Sequence, residues 1–221
     1  MISYNEYKTK IIDCTQWLSK HGFFGALRGT GGNVSMRIEG VEAFAVTPST
    51  LPYDELTPDD ICVVDFEMKP IEGKRKPSVE SGFHLEVYKR RDDVNAVIHT
   101  HQIYGSMFAA QNHPIPPLFD EVTLHIGHAV EVIPYALSGS PELITNISSK
   151  LDNLCHCYLM QNHGVLNLGA TLEKAWLNVE LLEKTAQIYQ GILATGAQPT
   201  LLPDEIVNLL QELRKIEMGK K

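Results

Sequence analysis

The sequence predicts an α/β fold in which helices cover the faces of one mixed β-sheet. Segments whose apolar residues recur at helical spacing alternate with short apolar segments along the chain, which is typical of a layered α/β protein. Several neighbouring strands are joined by short turns, and such pairs must be antiparallel because a parallel pair needs a long crossover. The 221 residues are expected to form a single domain, residues 1–221.

Helices are predicted where apolar residues recur every three or four positions. In the first helix, Ile11, Cys14 and Leu18 lie on one face. Ser140 and Thr171 are capping residues, and each marks the start of a predicted helix. The predicted helices cover residues 4–21, 79–91, 102–110, 140–151, 171–194 and 203–221.

Strands are predicted in the apolar segments between these helices. The segment NAVIHTH, residues 95–101, has the character of a buried central strand. A glycine-rich loop leads into a strand within residues 28–40, and the Pro-rich stretch 112–121 is predicted to be a loop. The other predicted strands are 42–50, 60–66, 68–73, 130–135 and, as two strands joined at QNHG, 155–169.

Composition and charge exclude several classes of protein. The formal net charge of −8 argues against nucleic acid as a partner, and the basic runs 73–77 and 88–93 are interpreted as solvated faces. No apolar run approaches the length of a membrane span, so no membrane partner is expected. Four cysteines are too few for a disulfide framework in a chain of this size, and the N-terminus lacks the apolar core of a signal peptide. A cytoplasmic location is therefore expected.

The segment VIHTHQIYG places two histidines at the end of the buried strand. His99 and His101 are two positions apart, so on a strand their side chains lie on one face and can reach one cation. Two ordinary polar residues at a strand end are the alternative interpretation. His163, beside a glycine at another strand end, is the best candidate for a third ligand, and Glu80 is a candidate fourth ligand or acid/base group.

Other histidines and the cysteines have weaker claims to a metal. His125 and His128 could form a second metal pair or line the site. Cys155 and Cys157 would place two thiols on one strand face, but apolar surroundings favour a structural role for them.

Three short segments could bind an anion. GTGGNVS, residues 29–35, offers clustered backbone N–H groups, TPST, residues 47–50, adds hydroxyls, and KPSVE, residues 76–80, places a serine before a helix. Glycine nests and helix starts bind phosphate because free N–H donors point at the ligand. None of the three is specific alone, and a glycine turn without a ligand is the commoner case.

The order of these motifs along the chain resembles the class II aldolase/adducin family. GTGGNVS, TPST, KPSVE, HTH and QNHG follow one another as they do in that family, and the resemblance extends from about residue 8 to 215. It implies a three-layer αβα sandwich around a central mixed, mostly antiparallel sheet. It also implies a homotetramer with active sites between neighbouring subunits.

The resemblance implies a role for individual residues. His99, His101, His163 and Glu80 match the metal ligands, and Glu80 also matches the acid that transfers a proton. The cofactor implied is one Zn²⁺ per chain, or another divalent metal such as Mn²⁺. The implied positions for substrate phosphate are Gly32, Asn33, Ser49, Thr50 and Ser78.

The implied function is that of a zinc-dependent lyase. It would reversibly cleave a ketose 1-phosphate, a small-molecule sugar phosphate, to dihydroxyacetone phosphate and an aldehyde. The alternatives within the superfamily are a 4-epimerase, a dehydratase or a decarboxylase of a hydroxy- or keto-acid. A non-catalytic scaffold, as in the adducin branch, is disfavoured because all four metal-site residues are present.

Four positions depart from the family's aldolase pattern. Val79 replaces a serine, Thr50 replaces a glycine, and Ile216 lies close to the place of a C-terminal tyrosine. Asp120 replaces a second tyrosine that works near the metal. Asp120 is therefore a candidate catalytic proton donor, since apolar neighbours could raise the pKa of its carboxyl group, with a solvated loop acid as the alternative.

Overall fold

One eight-stranded sheet runs through the protein in the computed structural model, which describes residues 3–25 and 30–219. Its strand order is β4-β3-β2-β1-β5-β8-β7-β6, and among these neighbours only β6 and β7 pair in parallel. The predicted mixed, mostly antiparallel sheet is therefore confirmed. The strands are β1 (Asn33–Arg37), β2 (Ala43–Val46), β3 (Cys62–Asp65), β4 (Pro70–Glu72), β5 (Ala96–Thr100), β6 (Val132–Ile133), β7 (Cys157–Met160) and β8 (Gly164–Gly169).

Helices cover both faces of this sheet. In the described residues the helices are α1 (Asn5–Lys20), α2 (Ser81–Arg90), α3 (Ile103–Gln111), α4 (Asp120–His125), α5 (Pro141–Ser148), α6 (Leu172–Ala194) and α7 (Asp204–Glu217). Two neighbouring residues of β5 show that each face of the sheet has its own core. Val97 packs in the core beneath α2 and α5, whereas Ile98 packs in the core beneath α1 and α6. The predicted three-layer αβα sandwich is confirmed. None of these helices combines the length and apolarity needed to cross a membrane.

The predicted helix starts are confirmed where a side chain caps the helix. Ser140 accepts a hydrogen bond from the backbone N–H of Leu143, and Thr171 accepts one from Lys174. The helix predicted from residue 79 begins instead at Ser81, and Glu80 occupies the N-cap position without capping the helix through its side chain. This freedom leaves the Glu80 carboxylate available to contacts outside the helix.

Some boundaries differ from the prediction. Helix α4 was not predicted, because its six residues are too few for an apolar period to show and prolines precede it. The predicted strand 130–135 shortens to Val132–Ile133, which is the sheet's parallel edge. Residues 28–29 of the predicted glycine-rich loop and residues 220–221 of the predicted last helix lie outside the described residues.

The interpretation of residues 88–93 as a solvated face is wrong for Arg91. Its side chain is buried and forms an ion pair with the carboxylate of the half-buried Asp93, with an Nη2–Oδ2 distance of 2.8 Å. Its Nη1 group also donates to the backbone carbonyl of Cys155 at 3.0 Å. Arg90, by contrast, is exposed and pairs with the exposed Asp152. No sequence pattern indicates which arginine faces inward, since the helix ends between them.

We expect replacement of Arg91 by alanine to lower the free energy of unfolding by about 3–5 kcal/mol, because it breaks the ion pair with Asp93 and removes the donor to the backbone carbonyls of Leu154 and Cys155. Replacement of Arg90 by alanine is the matched control and should cost less than about 1 kcal/mol, since an exposed ion pair contributes little. Urea denaturation followed by circular dichroism measures both. Equal effects of the two substitutions would contradict the structural role assigned to Arg91.

Candidate metal centre and adjoining cleft

Two histidines lie close together at the C-terminal end of strand β5. His99 lies within the strand and His101 just beyond it, and the Nε2 atoms of their rings are 3.0 Å apart. The Nδ1 atom of His99 lies 2.9 Å from the backbone carbonyl of Val165, so it carries the proton and donates it. The lone pair of His99 is therefore on Nε2, the atom that faces His101. A hydrogen bond from the opposite ring nitrogen is the usual support of a metal-binding histidine.

The turn between β7 and β8 supplies the third histidine. Asn162 adopts a left-handed conformation with φ of 53°, and His163 follows it just before β8. The next residue, Gly164, is in the strand, where a Cβ atom would meet the backbone oxygen of Thr100 and lie 2.7 Å from the Cδ2 atom of His101. Glycine is therefore required at 164 for close approach, while the turn itself is made by Asn162.

The three histidines form a set suited to a divalent cation. One nitrogen atom from each of His99, His101 and His163 can be chosen such that all three lie within 4.8 Å of one another. Within residues 3–25 and 30–219, no other group of three or more potential metal ligands converges in this way. Three imidazoles with an open side are the donor set of a catalytic rather than a structural metal site. The residues present fit a metal ion on the basis of this chemistry.

The carboxylate of Glu80 lies beside two of the three histidines. Its Oε2 atom lies 3.5 Å from Nε2 of His99, and its Oε1 atom lies 3.2 Å from Nε2 of His163. The carboxylate also accepts hydrogen bonds from Asn33 Nδ2 at 2.7 Å and from Ser138 Oγ at 2.6 Å. The structure thus brings together all four residues that were predicted to be metal ligands.

Burial and charge set the protonation of these groups. Burial lowers the pKa of the His99 imidazole to about 3, so the ring is neutral at pH 7, as a metal ligand must be. Burial alone would raise the pKa of Glu80, but the hydrogen bonds that its carboxylate accepts from His163 and Ser138 hold it below its usual range. Glu80 is therefore an ionised carboxylate inside the protein.

The metal centre opens into a cleft of about 240 Å³ that contains the predicted anion-binding residues. The cleft is lined by Gly32, Asn33, Ser49, Thr50 and Ser78, together with Glu80, His101 and His163. Gly32 has φ of 72°, and a Cβ atom there would collide with the ring of Phe24 and the backbone oxygen of His99. Thr50 also has a positive φ, 58°, at a position where the family's aldolase pattern has glycine.

Other sequence-predicted residues lie elsewhere. Asp120 is exposed as the first residue of α4 and is absent from the residues that line this cleft within the described chain. His125 lines a separate cavity of about 260 Å³ near the opposite ends of β5 and β8, and His128 is exposed. All four cysteines are buried free thiols, in agreement with the structural role expected for Cys155 and Cys157.

Two residues near Glu80 were not predicted from the sequence to belong to the site. Ser138 belongs to a loop between β6 and α5, and only the folded chain brings it to Glu80. His84 lies one helical turn after Glu80 and contacts Asn33 rather than the cation site. Its four-residue spacing from Glu80 was a signal that could have placed both side chains on one face of α2.

Comparison with known proteins agrees with this fold. Residues 9–190 match the family model described as the class II aldolase and adducin N-terminal domain. The chain is 35% identical over 212 residues to the L-fuculose phosphate aldolase of Escherichia coli O6:H1, covering 95% of each chain. It is 42% identical over 166 residues to the 5-methylthioribulose-1-phosphate/5-deoxyribulose-1-phosphate aldolase of Escherichia coli O45:K1, covering 75% of this chain and 76% of that protein.

A solved structure is similar over the same length. The structure of an L-fuculose 1-phosphate aldolase superposes with a TM-score of 0.88 at 32% identity, covering 97% of this chain and 98% of that one. Fold and site define a metal-dependent enzyme of the αβα class with a three-histidine centre. The chain belongs to the class II aldolase and adducin family, and within it the protein is a metal-dependent, aldolase-type lyase.

We expect replacement of Gly164 by alanine to weaken Zn²⁺ binding on the order of 10- to 100-fold, because the added methyl group displaces the ring of His101. Competition with a chromophoric chelator measures the affinity. Gly191, in the last turn of α6 with open space around it, provides the control. Its replacement by alanine should leave Zn²⁺ affinity unchanged and, this close to the helix end, stabilise the helix by less than about 1 kcal/mol. Unchanged Zn²⁺ affinity in the Gly164→Ala variant would refute the inference that glycine is required there for close approach to His101.

Proposed function

We propose that this lyase reversibly cleaves a ketose 1-phosphate to dihydroxyacetone phosphate and an aldehyde. The observation that carries the proposal is a single cleft in which His101, His163 and Glu80 line the wall together with a set of anion-binding groups, with the buried His99 directly behind them. A cation beside a phosphate site suits a substrate that has its carbonyl group next to a phosphorylated carbon. The names of the relatives at 35% and 42% identity, all phosphoketose aldolases, support the same reaction.

The phosphate group would bind against the anion-binding residues that line the cleft. Gly32, whose φ excludes most other residues, allows the backbone to approach a ligand closely. Hydroxyl groups of Ser49, Thr50 and Ser78 line the same cleft and can donate to phosphate oxygens. Asn33 has a second amide hydrogen besides the one that it gives to Glu80. These five positions are the phosphate site that we propose.

The cation that we propose is Zn²⁺, with Mn²⁺ as an alternative, at one ion per chain. His99, His101 and His163 would hold it, with Glu80 as a fourth ligand in the absence of substrate. When bound, a divalent cation acts as a Lewis acid that stabilises negative charge on the substrate's oxygen atoms.

Glu80 is proposed to carry the proton. In the cleavage direction the C3–C4 bond breaks, the C4 hydroxyl loses its proton to become the aldehyde, and C3 gains a proton to give dihydroxyacetone phosphate. The carboxylate of Glu80 lines the same cleft as His163 and the proposed phosphate-binding residues, so it could exchange a proton with a substrate bound there. Ser138 and Asn33 hold its two oxygen atoms and thereby orient it.

Asp120 remains a proposed second proton donor. Its exposed position at the start of α4 means that it would act in the cleft of a neighbouring subunit rather than in its own. We propose a homotetramer with active sites between subunits. Support comes from α7, which presents an exposed apolar stripe at alternating spacings of three and four residues: Ile206, Leu209, Leu213 and Ile216.

We further propose that residues 1–221 form one domain and that the protein is cytoplasmic. One sheet with both faces covered supports the first proposal. Four buried free thiols are compatible with a reducing compartment.

The reaction is tested with L-fuculose 1-phosphate, 5-deoxyribulose 1-phosphate and 5-methylthioribulose 1-phosphate on Zn²⁺-loaded protein. Release of dihydroxyacetone phosphate is followed through its reduction by a coupled NADH-dependent dehydrogenase. We expect at least one of these compounds to be cleaved and the same compound without phosphate to be inactive. Turnover of unphosphorylated compounds only would refute the phosphate site. Formation of an epimerised sugar phosphate without release of dihydroxyacetone phosphate would refute the proposed cleavage reaction.

Replacement of Glu80 by glutamine is expected to leave the fold intact and lower kcat by about 10²- to 10⁴-fold, because the amide cannot carry the proton. The protein is assayed with Zn²⁺ in excess, so that a weaker fourth ligand does not limit occupancy. Metal analysis should find one ion per chain in the wild type and none in the variant with both His99→Ala and His101→Ala. Full turnover in Glu80→Gln, or full metal content in the double variant, would contradict these assignments.

A further inference from the structure

A buried chain of hydrogen bonds leads from Glu80 into the core. Asn33 Nδ2 contacts the carboxylate at 2.7 Å, and Asn33 Oδ1 contacts His84 Nε2. His84 Nδ1 lies 2.6 Å from Ser35 Oγ, which lies 2.6 Å from Tyr88 Oη. All five side chains are buried. We call this series, Glu80–Asn33–His84–Ser35–Tyr88, the hydrogen-bond relay.

Each donor in the relay is fixed by its neighbour. An ionised carboxylate only accepts, so Asn33 must turn its amino group to Glu80 and its carbonyl oxygen to His84. His84 then donates from Nε2, and since burial lowers the pKa of this ring to about 3, the ring is neutral and Nδ1 accepts. Ser35 gives its one proton to Nδ1 and accepts from Tyr88. The relay therefore has one direction, from Tyr88 to Glu80.

Helix and strand geometry makes this arrangement possible. Glu80, His84 and Tyr88 recur every fourth residue along α2, a rise of about 6 Å per step. Asn33 and Ser35 are two positions apart on β1, a separation of about 6.6–6.8 Å. Because the two repeats nearly match, the strand side chains fit between successive helix side chains. The whole series is thus built into the packing of α2 on the sheet.

We propose that His84 is a positioning residue that holds the Asn33 amide with its amino group on Glu80. An Asn33 amide turned by 180° would place its oxygen against the carboxylate and its amino group against the Nε2–H of His84, so both contacts oppose the turn. Ser35 and Tyr88 act one step further away by fixing the tautomer of His84. This inference rests on the proposed role of Glu80 as proton carrier.

The kinetic test compares two amide variants of His84. The side chain introduced by His84→Gln is long enough to donate to Asn33, whereas the shorter one introduced by His84→Asn retains only the contact with Ser35. We expect His84→Asn to lower kcat on the order of 10- to 100-fold with a much smaller change in KM, and His84→Gln to recover most of that loss. Thermal unfolding of both variants is the control for folding. Equal losses in the two variants, or losses that follow thermal stability, would overturn the proposal.

A double-mutant cycle asks whether His84 acts through Asn33. If it does, His84→Asn should lower kcat little further in a protein that already carries Asn33→Ala. Additive losses would mean that His84 acts by another route and would overturn the proposal.

A spectroscopic test does not depend on the reaction. In metal-free wild type labelled with ¹⁵N-histidine, long-range ¹H–¹⁵N spectra should show His84 as the Nε2–H tautomer, assigned by its loss in either variant. His99 is the internal contrast, because it donates from Nδ1 to Val165 and is expected as the opposite tautomer. An Nδ1–H or charged His84 would overturn the relay. If no ketose phosphate is cleaved but His84 has the expected tautomer, the proposed function fails and the relay stands.

Discussion

The carboxylate of Glu80 is the point on which the arrangement of the site depends. Four segments far apart in sequence meet there, through Asn33 of β1, His99 of β5, Ser138 of a loop and His163 of the β7–β8 turn. An unpaired buried carboxylate is costly, and the hydrogen bonds from Asn33, Ser138 and His163 offset part of the desolvation. The same contacts hold the charge in one position. The contacts that stabilise the buried carboxylate are therefore the same contacts that set the geometry of the site.

The local part of this structure could be predicted from sequence. Alternation along a strand places His99 and His101 on one face whatever the tertiary fold, and the capping residues Ser140 and Thr171 act within their own helices. The sheet's mixed pairing followed from short connections. Convergence of Glu80 and His163 with the strand pair could not be derived from spacing: the residues alone made them candidates, and the resemblance to a family assigned both to the same site as the pair.

What the sequence could not provide depends on packing between elements. Arg91 and its neighbour Arg90 have the same charge, yet only tertiary contacts decide that Arg91 is buried. Helix α4 is stabilised by packing against α6 and α7 rather than by its own six residues. His84 looked like an ordinary helix residue, because its partners on β1 were 49 and 51 positions away in sequence.

The residues of the site are spread along the chain, so they become available at different times during translation. Strand β1 can pair with β5 once residue 100 has left the ribosome, but β8 can join the other edge of β5 only after residue 169 has done so. A chain still being extended on the ribosome therefore presents His99 and His101 beside an open sheet edge, without His163. Selective uptake of the cation, which needs the complete donor set, becomes possible only late in translation. Chains terminated before His163 would carry an incomplete binding site and an unprotected central strand, a combination that favours aggregation over function.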